Sequence, residues 1–280
     1  MTPAFRFSGG ISMRTAFIGG GVMGEAMLAR ALATGVMTPA DVCVAEPVDD
    51  RRASLASTHG VAVTADAAEA AAGAELVVLA VKPQQIAPVL EALAGSLSAG
   101  ATALSIVAGV GLATLTTGLQ HERVVRVMPN TPARIGAGMS VWTATPGVSA
   151  EGRTAAASLL RALGREWYVD DEAYLDMATA VSGSGPAYVF AFIEALADAG
   201  VHIGMPRDMA LALATETVAG SGRLARETGE DPAALRVSVT SPGGTTAAAL
   251  AELDRAGFAA TIDGAVAAAH RRAKELGGNA

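Results

Sequence analysis

The sequence predicts an α/β chain: a parallel sheet wrapped by crossover helices, then a second, wholly helical domain. Three observations carry that expectation. From Arg14 to Asp170, apolar runs of strand length alternate with alanine-rich helical stretches, the pattern of strand-helix-strand units. After Asp170 the strand-like runs stop and long apolar helical stretches take over. With 280 residues and 51% hydrophobic content, the chain can bury a substantial core and is long enough for two domains.

Taken in order, "TAFIG" from Thr15 is the first strand and "MGEAMLARALATG" its helix, stopped by Gly35. "DVCVAE" is a second strand and "GVAVT" a short third one. "ELVVLAV" reads as a buried strand, broken by Lys82-Pro83 before the helix "QQIAPVLEALAG". "ATALSIVAG", "RVVRVMP", "GMSVWTA" and "EWYVD" bring the strands to about eight by Asp170. These limits set residues 1–13 as an N-terminal tail, 14–170 as the sheet domain and 171–280 as the helical domain. Residues 1–12 lack the apolar core of a signal peptide, and Met13 stands directly before the first strand.

Composition narrows the function. The chain has 20 basic against 27 acidic residues, a net charge of -7, which argues against a nucleic-acid or anionic membrane surface and for small-molecule chemistry. One cysteine, Cys43, excludes an internal disulfide and fits a reducing cytoplasm. His59, His121, His202 and His270 have no ligand spacing, so no metal site is expected. No run reaches the roughly 18 uninterrupted apolar residues of a membrane span, and a cytoplasmic protein without membrane partners is expected.

"IGGGVMGEAML" carries G-x-G-x-x-G as Gly19, Gly21 and Gly24, between a strand and a helix. Gly19 makes the tight turn, Gly21 lets the backbone approach a pyrophosphate, and Gly24 allows close packing of helix on strand. With Gly20, Val22 and Met23 they form a phosphate loop at a positive helix end. This is a Rossmann-type dinucleotide site, so NAD(P)H is the expected cofactor. Glu46 ends the second strand, where a carboxylate accepts the 2'-hydroxyl of NAD and repels the 2'-phosphate of NADP. Arg51 and Arg52 follow closely and would neutralise that phosphate, so NAD(H) is expected to be accepted with NADP(H) left open, and a solvated strand end is the lesser alternative for Glu46. Ala80, Val81, Lys82 and Pro83 lie at the carboxyl end of the fourth strand, on the ligand edge of such sheets; a surface role for Lys82 is as good a reading. Asn130 in "MPNTP" pairs either with cofactor or with loop backbone, and a structural turn explains it equally well.

In the helical half, "AYVFAFIEALADAG" and "DMALALATETVAGSGRLARE" are apolar on more than one face and need burial on several sides. That predicts a homodimer packed through these helices. "AVSGSGPAYVF" reads as ordinary capping by Ser184 with Pro186 in the first helical turn. "VTSPGGTTAAALAELD" is different: Pro242 and two glycines precede a helix with no charged residue from Ser241 to Leu250. The amides of Gly244, Thr245 and Thr246 are expected bare at the positive helix end, a pocket for a small carboxylate, with a threonine-capped helix as the alternative.

"VSVTSPGGTTAAALAELD", "FIGGGVMGEAML", "AVKPQ", "VMPNTP" and "AVSGSGPAYVF", in this order and spacing, resemble pyrroline-5-carboxylate reductase from about Met13 to Leu276. The resemblance implies a Rossmann domain followed by a helical dimerisation domain, rings of such dimers, and reduction of 1-pyrroline-5-carboxylate by NAD(P)H to L-proline. It implies that backbone around Ser241, Gly243, Gly244, Thr245 and Thr246 holds the substrate carboxylate, that the Thr246 hydroxyl meets the ring nitrogen as the catalytic contact, and that Glu172 is a second substrate neighbour. It places cofactor at the Gly19–Gly24 loop, Glu46, the Ala80–Pro83 turn and Ala108. The family often carries Ser or Asn in place of Glu46, so cofactor preference transfers least. A related imine or ketoacid reductase, or a non-catalytic dinucleotide sensor, is the competing reading.

Overall fold

The computed structural model describes residues 13–278, so the expectation for residues 1–12 lies outside the described residues. Two compact units divide the chain: residues 13–183 with 269–278, and residues 184–268. The sequence set the domain boundary at 170/171. By packing, residues 171–183 and 269–278 group with the first unit.

The first unit is built on an eight-stranded sheet of order β3-β2-β1-β4-β5-β6-β7-β8. Its first five strands, β1 (Thr15–Ile18), β2 (Val42–Ala45), β3 (Ala62–Thr64), β4 (Leu76–Leu79) and β5 (Thr102–Ser105), run parallel, joined through α1 (Val22–Ala33), α2 (Asp49–His59), α3 (Ala67–Ala71) and α4 (Ile86–Leu93). After α5 (Leu112–Leu119), β6 (Val124–Met128) continues the parallel set. β1, β4 and β5 are buried at every position, which explains their largely apolar sequences: helices cover both faces of the sheet. One face packs Phe17, Leu76, Leu104 and Val125 against Met27 and Leu160, and the other packs Ile18, Leu79 and Ala103 against Leu90, Leu93 and Leu115.

Within this mainly parallel sheet one pairing differs: β7 (Gly138–Ala144) runs antiparallel to β6. The intervening residues form a short 3-10 turn, Thr131–Ile135, too short for the crossover a parallel return needs. α6 (Ala150–Leu163) supplies that length, so β8 (Gly164–Tyr168) is parallel to β7. Strand order reverses beside β1, with β2 on one side and β4 on the other. The crevice at their carboxyl ends is where such sheets bind ligands.

From Ala173 the chain is helical: α7 (Ala173–Ala178), a π-helical turn (Thr179–Gly183), α8 (Gly185–His202), α9 (Arg207–Thr228), α10 (Pro232–Ser238), α11 (Thr245–Arg255) and α12 (Phe258–Gly278). In the second unit α8 and α9 meet through small residues, Ala197 against Ala210 and Ala214. Large apolar side chains point away from that contact, among them Phe190 at 61% exposure, Val189, Phe192, Leu211, Leu213 and Leu224. The sequence has no uninterrupted apolar run of membrane-span length, but the helical stretch Ala173–His202 contains an 18-residue window whose mean hydropathy, 1.2, reaches that of a span by composition.

Candidate active site

The glycine loop sits where β1 ends. Gly19 adopts φ +103°, and a Cβ there would lie 2.8 Å from the Ala80 carbonyl oxygen. A Cβ on Gly24 would lie 2.3 Å from the Gly19 carbonyl oxygen. Both glycines are therefore demanded by backbone contact within the loop and across to β4. Gly21 has no atom within 4 Å of its Cβ position, leaving an open approach at the N-cap of α1. Among the described residues, the amides of Val22, Met23 and Gly24 have no acceptor, so the start of α1 offers bare donors at its positive end.

Glu46 is only 8% exposed, and both its oxygens are engaged. Oε2 accepts from the Gly20 amide at 3.0 Å and Oε1 from the Val48 amide at 3.1 Å. The reading of Glu46 as a solvated strand end is thereby overturned: it ties the glycine loop to the end of β2. The two arginines are committed to the protein as well. Arg51 donates to the Gly20 carbonyl at 2.8 Å and pairs with Glu25 at 2.5 Å, while Arg52 donates to the Glu46 and Pro47 carbonyls. Glu25 also meets His59 Nε2 at 3.1 Å. The Arg51 hydrogen bond, with His59 adding to it, holds the Glu25 carboxyl below its ordinary value of 4.5.

A cleft of about 680 Å³ runs from the Gly19–Gly21 loop and the Ala80–Lys82 turn past Glu46 to Pro47, Val48 and Val89. Its apolar far wall and amide-lined near end suit an adenine ring and a diphosphate. Ala108 lies outside this cleft, in the turn after β5. Asn130 is occupied by protein: its Oδ1 accepts from the Met139 amide at 2.9 Å and its Nδ2 donates to Ser182 Oγ at 3.2 Å.

Glu172 is occupied too. One of its oxygens, Oε1, accepts from the Leu112 amide at 2.8 Å and from Arg126 at 2.7 Å. Arg126, on β6 and 7% exposed, reaches Asp176 at 3.2 Å with its other terminal nitrogen. Sequence reasoning missed this network. The signal was present: an arginine in the middle of the apolar run "RVVRVMP" must find a buried anion, and Glu172 and Asp176 stand four residues apart, on one helix face.

In the second unit, Ser241–Gly244 forms a turn closed by the Gly244 amide on the Ser241 carbonyl at 3.0 Å. Gly243 takes φ +69°, and Pro242 before it completes the type II pattern. One expectation fails here: the Gly244 amide is not free, because it closes this turn. Past it, α11 starts at Thr245 with Gly244 as N-cap and no side-chain cap. Among the described residues, the amides of Thr245, Thr246 and Ala247 have no acceptor. The bare amides at the start of α11 thus lie one residue further along than expected, with the Thr246 side chain half-buried beside them.

Residues 172–276 match the family model for pyrroline-5-carboxylate reductase dimerisation. Residues 14–109 match that for NADP oxidoreductase, coenzyme F420-dependent. The chain is 45% identical over 267 residues to the pyrroline-5-carboxylate reductase of Synechocystis sp., covering 95% of this chain and 99% of that one. Among solved structures, the pyrroline-5-carboxylate reductase of Coxiella burnetii superposes with a TM-score of 0.88 at 36% identity, covering 95% and 98% of the two chains. The Plasmodium falciparum pyrroline carboxylate reductase with NADP bound gives 0.87 at 28% identity, covering 96% and 100%. A glycine loop with bare amides, a charge-free turn at the start of α11 and near-full-length similarity agree, and the chain belongs to the pyrroline-5-carboxylate reductase family.

Proposed function

We propose that this protein reduces 1-pyrroline-5-carboxylate to L-proline with NAD(P)H, the last step of proline biosynthesis. The observation that carries the reading is the charge-free start of α11, where the Thr245, Thr246 and Ala247 amides stand bare behind the Pro242-Gly243 turn. Such donors hold a small carboxylate through helix-end partial charge without a lysine or arginine. The cofactor half is supported by the Gly19–Gly24 cradle, where side chains would collide at Gly19 and Gly24 and the approach at Gly21 is open.

The chemistry suits so sparse a site. A ketone substrate would develop an alkoxide during hydride addition and need a nearby acid. A protonated cyclic imine is already an electrophile, and hydride arrival at its carbon neutralises the ring nitrogen. Such a substrate needs placement above all. When bound, the dihydronicotinamide supplies the hydride. The protein's own share is to fix the carboxylate on the α11 amides and to set the Thr246 hydroxyl against the ring nitrogen, so that the imine carbon is presented in one orientation. Overall, 1-pyrroline-5-carboxylate, NAD(P)H and one proton give L-proline and NAD(P)+.

The helical region matching the dimerisation model makes the protein a homo-oligomer. We propose a cytoplasmic homodimer, extended to a ring of dimers, in which a copy of the chain rather than a bilayer covers Phe190 and its neighbours. Within it, residues 14–170 serve the cofactor and 171–280 the substrate and assembly. The test is initial rate with 1-pyrroline-5-carboxylate and each reduced cofactor, with L-proline identified as product. Turnover of open-chain imines or ketoacids with none of the cyclic substrate would overturn the reading.

A further inference from the structure

We propose that Glu172, oriented by Arg126, is a positioning residue for the cofactor half of the site, acting through the Leu112 amide at the start of α5, and that it is not a substrate ligand. This rests on the proposed reductase reading and on the cofactor contact at Ala108, in the turn after β5, that the family resemblance implies. That turn, residues 106–111, leaves the sheet at the carboxyl end of β5, beside the end of β4 that carries Ala80. Its Val107 and Val110 side chains are buried in the core, but "IVAGVG" has two glycines and no side chain with a hydrogen-bonding group, so its polar backbone is not fixed by its own side chains. It is held from outside.

The hold is specific. Gly111 is the N-cap of α5 and has no side chain to cap the helix, so the Leu112 amide would be orphaned. Glu172 Oε1 supplies the acceptor at 2.8 Å and stands 3.5 Å from the Cβ position of Gly111. The same oxygen is oriented by Arg126 at 2.7 Å, and Arg126 is anchored on β6, where it pairs in register with Ser105 at the end of β5. Asp176 at 3.2 Å holds the second arm of the guanidinium. The strand that ends in the turn and the helix that follows it are therefore both referred to one buried cation. Both donors share Oε1, so the protein orients the carboxylate, and Oε2 is the oxygen with no protein partner among the described residues.

The test measures NADPH binding directly, by nucleotide fluorescence without substrate, alongside steady-state constants for wild type, Glu172→Ala, Glu172→Gln and Arg126→Met. Losing charge-assisted hydrogen bonds of this kind is expected to weaken NADPH binding about tenfold in Glu172→Ala and Arg126→Met. The KM for 1-pyrroline-5-carboxylate should change little. Glu172→Gln keeps an acceptor for Leu112 and should recover most of the affinity. A raised KM for the pyrroline with NADPH affinity intact would overturn the proposal and make Glu172 a substrate ligand. Equal NADPH affinity in all four proteins would overturn it as well. Failure of wild type to bind NADPH would instead count against the reductase reading. Arg126→Lys, which keeps the charge, separates loss of positioning from simple unfolding: if it folds with wild-type thermal stability, its NADPH affinity should fall between wild type and Arg126→Met, and a value no better than Arg126→Met would overturn the role given to charge.

Discussion

Single residues carry the chemistry at the start of α11 and the geometry at the start of α1. Replacing Thr246 with Ala removes one contact to the ring nitrogen, and kcat/KM should drop about ten- to a hundredfold with the fold intact, as steady-state assay and circular dichroism would show. Gly24→Ala places a methyl within 2.3 Å of the Gly19 carbonyl oxygen, and backbone cannot yield as a flexible side chain would. Titration with NADPH should show no saturable binding in that variant. The roles of Gly19 and Gly24 were legible in the sequence because each follows from the spacing of one motif between a strand and a helix. Glu46 was half legible. Its position at the end of β2 could be read, but not that the Gly20 and Val48 amides would claim both oxygens, because that depends on loop curvature which a strand pattern does not encode. Arg126 was missed because its partners lie 46 and 50 residues away, in the helical region, and pairing across such a distance leaves no periodicity to detect.

At the scale of elements, the strand sequence was the most readable part, since strands buried on both faces are largely apolar runs bounded by glycine or proline. Direction was less readable. β7 reverses because the segment after β6 is short, and the pattern "GMSVWTA" looks the same in either sense. α1 and α2 are joined at their exposed edge by Glu25, Arg51 and His59. The Glu25 carboxyl is held below 4.5, so its unfolded-state pKa is the higher one. Its contribution to stability is present above the unfolded value and is lost as pH falls through the depressed folded value. Glu25→Gln should therefore melt below wild type at neutral pH, and the gap should close as pH drops beneath 4.5, measured by thermal denaturation. α6 makes a different test. Ser149 caps it by accepting from the Gly152 amide at 3.2 Å, and Ser149→Ala should cost about 1 kcal/mol in urea unfolding.

For the whole molecule, the second unit taken alone leaves Phe190, Leu211, Leu213 and Leu224 in water. So many exposed large side chains on one pair of helices require a partner. Phe190→Asp should shift sedimentation from oligomer towards monomer, and an unchanged oligomer would place the interface elsewhere. That such helices needed covering was legible from their apolar breadth. The membrane-like composition of Ala173–His202 was not, because Ser, Gly and Tyr interrupt the run in sequence while hydropathy averages over them. Phe190, Leu211, Leu213 and Leu224 belong to residues 184–268, whereas the glycine cradle belongs to the other unit. Assembly and cofactor capture are therefore genetically separable. A subunit crippled at Gly24 would still be recruited by healthy copies, and cells making both would fill their complexes with inert members, so that one damaged allele dilutes the product of the other.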